Sequence, residues 1–291
     1  MTELRPNYRD VQAHYDLSGD FFALFLDASR TYSCAYFERD ELTLEQAQLA
    51  KIDLALGKCE LEPGMRLLDI GCGWGALARR AAQRHGVRVV GLTLSRNQQA
   101  YAARMTRGLP VEIRLQGWEE FDEPVDRIVS IGAFEHFREA RFADFFAKCH
   151  RLLPVDAHML LHTIVFADQA ALNARGIALD HDNVLFAKFV RKHIFPGGQL
   201  VVPRVIRDYA RAAGFEVERE HSLQQHYART LDTWAVNLAA ARERAIALTG
   251  EGAFDIYMKY LTGCAERFRS GYIDVIQFTL VRLDREPLSI T

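Results

Sequence analysis

The sequence predicts an α/β fold, a doubly wound and mostly parallel sheet, and three observations carry that expectation. From residue 65 to residue 164, apolar runs of strand length alternate with polar segments of helical period. The first run, Arg66-Leu67-Leu68-Asp69-Ile70, stops at Gly71-Cys72-Gly73-Trp74-Gly75, a turn with enough glycine to fold the chain back into a helix. With 291 residues, 49% of them hydrophobic, the chain can also cover both faces of such a sheet. One domain spanning 1–291 is expected, with a helical cap over 1–60 and a helical lid insertion over 165–200.

The elements follow in chain order. Residues 1–60 read as helical and partly amphipathic: Tyr15, Phe21, Phe22, Leu24, Phe25 and Leu26 crowd one segment, and 44–56 carries apolar residues at a spacing of about 3.6. Strands are expected at 67–70, 87–92, 111–115, 127–131 and 159–164, with helices at 75–85, 97–104 and 140–152 between them. Residues 165–200 break this rhythm with a mixed apolar and charged stretch that Phe195-Pro196-Gly197-Gly198 terminates. A helix over 204–213, a strand over 215–221, helical stretches over 228–248 and 254–268, and a strand over 275–283 complete a seven-stranded count.

Composition excludes several function classes. Lys and Arg number 36 against 38 Asp and Glu, a net charge of −2, so nothing draws the whole chain toward nucleic acid. Arg79–Arg80, Arg204–Arg207–Arg211 and Arg242–Arg244 read as solvated helix faces. The five cysteines, Cys34, Cys59, Cys72, Cys149 and Cys264, are odd in number and share no C-x-x-C spacing. That pattern argues against a disulfide framework and a zinc site, and fits a reducing cytoplasm with no metal. The opening MTELRPNYRD has no apolar signal region, and no run of about 18 apolar residues occurs. A soluble protein is expected, and a soluble protein can still contact lipid.

The glycine spacing points to a ligand. Dinucleotide folds use G-x-G-x-x-G to bring a helix N-terminus against a pyrophosphate. Here G-x-G-x-G follows Asp69, which suits a cofactor without phosphate, S-adenosylmethionine, in a Rossmann-like class I methyltransferase arrangement. Gly71, Gly73 and Gly75 are then expected beneath its methionine part, and Asp69 at the strand end orients the loop. At the second strand Thr93 replaces the acid expected for ribose hydroxyls; Thr93 and Gln98 offer the same hydrogen bonding, and the missing carboxylate weakens a nicotinamide reading. Trp118 falls after the third strand, where an adenine ring would pack.

Four polar residues stand where a sheet-top site would present them: Glu135 after the fourth strand, His162 at the end of the fifth, Tyr227 before a long helix and Cys264 within a later one. Beyond these positions, the chain resembles the cyclopropane fatty-acid synthase family, most closely its mycolic acid branch of cyclopropane synthases and methyltransferases. The matching stretches include VQAHYDLSGDFFALFLD, TYSCAYFERDELTLEQAQLAKIDLALGK, LLDIGCGWGA, VVGLTLSRNQ, DEPVDRIVSIGAFEHF, MLLHTI, IFPGGQL, SLQQHYARTLDTW and YMKYLTGCAERFRSGYIDV.

The resemblance implies transfer of a sulfonium methyl to a double bond in a long unsaturated acyl chain held on acyl carrier protein. It implies cofactor contacts at Tyr32 and Ser33, across 67–75, from Thr93 and Leu94 through Gln98, at Trp118 with Glu119, and at Ile131. It also implies a bicarbonate ion held by Cys34, chiefly through its backbone, with Glu135, His162, Tyr227 and Cys264. An alkene is a weak nucleophile whose attack leaves a carbocation, so the site must align it and exclude water. A protein carboxylate beside that cation risks alkylation, whereas an exchangeable base can take a proton from the new methyl while the ring closes. Aromatic faces can steady the cation, with Phe21, Phe22, Phe134, Phe195 and Phe268 as candidates. Ring formation is the preferred outcome; a methyl branch, a hydroxyl beside a methyl branch, and action on phospholipid are the alternatives. The stretch 180–183, Asp-His-Asp-Asn, departs from a more apolar lid helix.

Overall fold

The computed structural model describes residues 19–178 and 181–285. Tyr15 and the start of the expected cap, and Asp180 in the expected lid, lie outside the described residues. The strands are β1 (Arg66–Ile70), β2 (Arg88–Thr93), β3 (Val111–Leu115), β4 (Arg127–Ile131), β5 (His158–Phe166), β6 (Phe215–Ser222) and β7 (Ile273–Arg282). They form one seven-stranded sheet in the order β3-β2-β1-β4-β5-β7-β6. The first five pair in parallel, and β7 runs antiparallel between β5 and β6. The chain winds outward from β1 to β3, then returns to lay β4 on the other side of β1. That reversal opens a crevice beyond the carboxyl ends of β1 and β4, where this class of sheet binds ligands.

Alternation along the strands explains why both faces are covered. Leu68 and Ile70 join one buried cluster with Val90, Ile128, Met159 and Leu161, packed against Phe142, Phe145 and Phe146. Their neighbours Leu67, Val89, Val129 and Leu160 face the opposite cluster, with Ala78, Ala81 and Ala82. Successive side chains of a strand point to opposite faces, so a continuous apolar run is what a doubly covered sheet requires. Burying each such Leu or Val contributes about 1.5–3 kcal/mol.

The helices are α1 (Gly19–Phe22), α2 (Leu44–Gly57), α3 (Ala76–His85), α4 (Arg96–Met105), α5 (Phe142–Leu152), α6 (Gln169–Ala174), α7 (His181–His193), α8 (Pro203–Ala212), α9 (Gln224–Ala240), α10 (Arg242–Thr249) and α11 (Glu251–Ser270). A capping box between Thr43 and Gln46 starts α2, and Pro203 occupies the first turn of α8. Two expectations need correction. The cap is not continuously helical, because the Asp27 carboxylate accepts the backbone N–H groups of Ser29 (2.9 Å) and Thr31 (2.8 Å), turning the chain between α1 and α2. The helical stretch over 228–248 is two helices, α9 and α10, which break at Ala241 (φ −100°, ψ 19°).

A third buried cluster lies beyond the carboxyl edge of the sheet. It gathers Phe21, Phe22 and Phe25 from the N-terminal segment with Trp234 of α9 and Tyr257, Leu261 and Phe268 of α11. The crevice is thereby roofed by residues from both ends of the chain. No helix among the described residues is long and apolar enough to cross a membrane.

Candidate active site

Two cavities meet above the sheet. The first, of ≈ 350 Å³, is lined at the end of β1 by Asp69, Gly71, Cys72 and Gly73. Thr93, Leu94 and Gln98 line it after β2, Trp118 and Glu119 after β3, and Ile131 at the end of β4. Tyr32 and Ser33 close it from above. Within the expected 67–75 segment, Leu67, Leu68 and Gly75 stand back from the cavity; the other residues expected to hold the cofactor are brought together around it.

The three glycines do different things. Gly71 (φ +81°) passes so close to the β4 loop that a Cβ there would sit 2.5 Å from Ala133 Cβ. Gly73 (φ +53°) faces open space, where a Cβ would have nothing within 4 Å, and lines the cavity. Gly75 (φ +83°) precedes α3, where a Cβ would stand 2.8 Å from Ala102 Cβ of α4. Its requirement is helix packing, which places it behind the cavity wall.

Electrostatics in this cavity centre on a buried cation that the sequence does not single out. Lys51, 2% exposed on α2, donates from Nζ to Ser33 Oγ at 2.8 Å. One turn earlier on the same helix, Gln48 Nε2 donates to the Ser33 carbonyl at 2.8 Å and the Thr31 carbonyl at 3.3 Å. Burial pulls the Lys51 ammonium down to about 8, opposed by nearby acids including Asp27 and Asp69. Burial likewise lifts the Asp69 carboxyl to about 7, opposed by Lys51. A lysine in an amphipathic helix ordinarily reads as solvated. The available signal was its position on the side of α2 that also carries Ala47, Gln48, Ile52 and Ala55, all buried.

Thr93 and Gln98 do share hydrogen bonding, first with each other: Thr93 Oγ1 donates to Gln98 Oε1 at 2.9 Å, and Ser95 N–H donates to Thr93 Oγ1 at 3.2 Å. The Gln98 amide nitrogen and the second lone pair of its oxygen remain for a ligand. Trp118 is 4% exposed and packs edge-on against Phe145, with the Arg141 guanidinium 5.3 Å from its ring centre. Arg141 Nη1 also meets Glu119 Oε1 at 3.0 Å. Burial raises the Glu119 carboxyl above its usual range. Trp118 Nε1 and Glu119 Oε2 are buried without a hydrogen-bond partner in the protein.

The second cavity, of ≈ 480 Å³, is predominantly apolar and is lined by Glu135, His162, Tyr227 and Cys264. Glu135 lies in a 3₁₀ turn (Phe134–His136) after β4, and its Oε1 accepts the Ile164 backbone N–H at 2.7 Å. Its Oε2 is buried without a protein partner, and burial lifts the carboxyl to about 7. His162 on β5 is 1% exposed; burial drives its pKa well below the usual value, and the charges of Lys51 and Lys58 act in the same direction. Tyr227, in the first turns of α9, packs with its ring tilted 39° and 4.6 Å from that of Phe268, and burial pushes its phenol far above the usual range. Burial pushes the Cys264 thiol of α11 up to about 12. Cys34 is fully buried behind the cavity lining, with Sγ–H donating to the Ala35 carbonyl at 3.1 Å and reaching the Leu223 carbonyl at 3.7 Å. Burial holds its thiol protonated as well. Neither cysteine is poised as a thiolate nucleophile.

The structure also sorts the aromatic candidates. Phe195 and Phe268 line the second cavity, whereas Phe21, Phe22 and Phe134 are core: Phe21 packs on Tyr257 (4.9 Å), Phe22 on Trp74 (5.4 Å) and Phe134 on Phe142 (4.2 Å). Four residues line both cavities: Tyr32, Ser33, Gly132 and His136. A ligand in the first can therefore face a ligand in the second across them. His136 and Arg141 were not singled out in the sequence; they lie one and six residues beyond Glu135. Among the described residues no group of three or more His, Cys, Asp or Glu side chains could hold a metal ion.

Comparison with known proteins bears on this arrangement. Residues 2–278 match the family model described as mycolic acid cyclopropane synthetase. The chain is 57% identical over 282 residues to cyclopropane mycolic acid synthase 3 of Mycobacterium tuberculosis, covering 96% of this chain and 98% of that one. Its structure is similar to that of the cyclopropane synthase MmaA2 from Mycobacterium tuberculosis, with a TM-score of 0.95, 54% identity, and 97% and 100% of the two chains covered. It is also similar to mycolic acid cyclopropane synthase CmaA1 complexed with SAH and CTAB, with a TM-score of 0.93, 55% identity, and 96% and 100% covered.

Proposed function

The chain belongs to the mycolic acid cyclopropane synthetase family, and on that premise we propose that this S-adenosylmethionine-dependent methyltransferase adds a methyl carbon across a double bond of a long, mycolic-type acyl chain and closes a cyclopropane ring. The observation that carries this reading is the junction of the two cavities. A glycine-floored chamber that presents Asp69, Thr93, Gln98 and Glu119, and a more apolar chamber containing Glu135 and His162, share Tyr32, Ser33, Gly132 and His136.

The first chamber fits the cofactor. Gly73 leaves its floor clear, the buried Trp118 indole and Glu119 Oε2 offer a donor and an acceptor, and Gln98 has hydrogen-bonding capacity to spare. When bound there, S-adenosylmethionine supplies a methyl group on a positively charged sulfur. Asp69, Thr93, Leu94, Gln98, Trp118, Glu119 and Ile131 would hold it from the sheet side, with Tyr32 and Ser33 above.

The second chamber fits a small oxyanion that carries one proton. Glu135 Oε2 is an acceptor without a partner, and His162 and Tyr227 bring ring N–H and O–H groups to the same cavity. Bicarbonate, when bound, supplies an exchangeable base for the proton leaving the new methyl. Glu135 would accept its hydroxyl, His162 and Tyr227 would donate to its oxygens, Cys264 would close one side, and Cys34, whose side chain is buried behind the lining, would contribute chiefly through its backbone. Phe195 and Phe268 present aromatic faces to the acyl chain and its developing cation. The described part of the cap, residues 19–60, covers the cavities with Tyr32 and Ser33, and α7, which lines the second cavity with Phe186, Ala187 and Val190, acts as lid within a single catalytic unit. The acyl chain is delivered on acyl carrier protein.

The test is incubation of the protein with labelled S-adenosylmethionine and a cis-unsaturated acyl-carrier-protein substrate, followed by mass and NMR analysis of the lipid. A product heavier by one methylene with cyclopropane signals is expected. A methyl branch or a hydroxyl in its place would reassign the outcome, and no product with any long cis-unsaturated donor, despite cofactor binding, would refute the catalytic reading.

A further inference from the structure

Behind His162 a row of side chains crosses three strands. His162 on β5 lies opposite Gln277 on β7, and Gln277 lies opposite His221 on β6. Gln277 is fully buried. Its Nε2 stands 3.3 Å from His162 Nδ1, and its Oε1 stands 2.6 Å from Lys58 Nζ. Lys58, at the end of α2, also reaches His221 Nδ1 at 3.0 Å.

Donor and acceptor counting fixes the His162 proton when Lys58 is an ammonium. A lysine ammonium has three donors and no acceptor, so it must face the amide oxygen of Gln277 and not its nitrogen. The amide nitrogen is then turned to His162, and it can only donate. His162 Nδ1 must accept, which leaves the imidazole proton on Nε2, the nitrogen at the edge of the ring away from Gln277.

We propose that Gln277 and Lys58 are positioning residues that lock His162 in the neutral Nε2–H tautomer, so that the ring presents a hydrogen-bond donor, and no charge, to the second cavity. The inference deepens the proposed reaction and rests on it for its purpose. A neutral N–H orients an oxyanion without adding positive charge beside a developing substrate cation. The other tautomer would aim a lone pair at the oxyanion and lose that hydrogen bond. Burial of the ring, which disfavours its charged form, acts in the same direction.

The isosteric Gln277→Glu variant separates this role from packing. A glutamate keeps the shape and keeps Lys58 as a partner, but both of its oxygens accept, so Nδ1 must carry a proton, and with burial keeping the ring neutral Nε2 becomes a lone pair. Nitrogen-15 NMR of the resting protein, with His162 assigned by loss of its signals in His162→Asn, needs no substrate. The wild type should show protonated Nε2 and bare Nδ1, and Gln277→Glu the reverse. With the acyl substrate, kcat of Gln277→Glu should fall at least about tenfold while KM for the cofactor stays within about twofold. Lys58→Met, which frees the amide to rotate, should give mixed tautomers and an intermediate kcat. A wild-type ring protonated on Nδ1, or on both nitrogens at neutral pH, overturns the proposal, as does Gln277→Glu with wild-type turnover. If Gln277→Glu does not fold, the wild-type and Lys58→Met spectra decide. Absence of product from the wild type would refute the proposed reaction and leave the tautomer assignment standing or falling on its spectra.

Discussion

Glu135 Oε1 is pinned by the backbone N–H of Ile164 at 2.7 Å, tying the turn after β4 to the carboxyl end of β5. The carboxylate cannot rotate without losing that bond, so Oε2 is held in a fixed direction with no protein partner. In Glu135→Gln the amide oxygen retains the Ile164 bond and the NH2 takes the place of Oε2, exchanging an acceptor for a donor. Turnover should fall by about 10²-fold or more. Affinity for S-adenosylhomocysteine should hold within about twofold, because Glu135 is not among the residues lining the first cavity. Product quantification by mass spectrometry beside calorimetric titration checks both; equal losses in the two would place Glu135 in the cofactor site.

The same carboxyl sets a pH dependence. Burial lifts Glu135 from the usual 4.5 to about 7, and its proposed role requires the ionised form, so turnover should rise with pH through about 7 and that limb should vanish in Glu135→Gln. Stability runs the other way. Between 4.5 and about 7 the folded chain holds a proton that the unfolded chain has released, so raising the pH through that window removes stability. Asp69, lifted from 3.8 to about 7, contributes with the same sign. Lys51, lowered from 10.5 to about 8, contributes stability that increases as pH climbs from about 8 to 10.5. Denaturant titrations should show declining stability from pH 5 to 7, with a shallower decline in Glu135→Gln; parallel declines would separate Glu135 from the effect.

Lys51 reaches Ser33 Oγ at 2.8 Å from beneath the cap and lies close enough to Asp69 to oppose its protonation. Replacing it with Met of similar length frees Ser33 and leaves Asp69 without that cation. Affinity for S-adenosylhomocysteine should drop about tenfold by titration calorimetry. Lys51→Arg should not restore it, since a planar guanidinium does not fit where a compact ammonium is enclosed. Wild-type affinity in Lys51→Met would make this lysine a packing residue only.

How much of this was legible in the sequence depends on the range of each signal. The strand runs and the turn after β1 were readable because a period of two and a glycine cluster are local. Asp27 broke the expected cap helix through side-chain contacts within four residues, a signal easily outweighed by the apolar crowding of Phe21, Phe22 and Phe25. Residues such as Glu135 and His162 were nameable through resemblance, yet nothing local told that one oxygen of Glu135 belongs to Ile164 or that His162 backs onto Gln277. Those are relations over 29 and 115 residues of sequence, one from a turn to a strand and one between neighbouring strands. Lys51 was missed for the opposite reason: its local signature is that of a solvated helix, and the groups that enclose it, Ser33 and Asp69 among them, are distant in sequence.

Gly71 and Gly73 look equivalent in sequence but should fail in different ways. At Gly71 a methyl would overlap Ala133 at 2.5 Å while the backbone holds φ +81°. Overlap with a side chain on rigid neighbouring backbone adds to the left-handed penalty, and Gly71→Ala should lose about 3 kcal/mol or more in denaturant titration. At Gly73 a methyl meets nothing within 4 Å, so Gly73→Ala incurs only the cost of φ +53°, about 1–2 kcal/mol, and folds. The space it enters is the first cavity, so its affinity for S-adenosylhomocysteine should fall more than about tenfold, since a close-packed ligand does not tolerate an added methyl without displacement. The pair therefore divides the turn into a structural glycine and a ligand-facing one. Should Gly73→Ala bind the ligand normally while remaining folded, the cavity floor lies elsewhere and the placement of the cofactor over Gly73 is wrong.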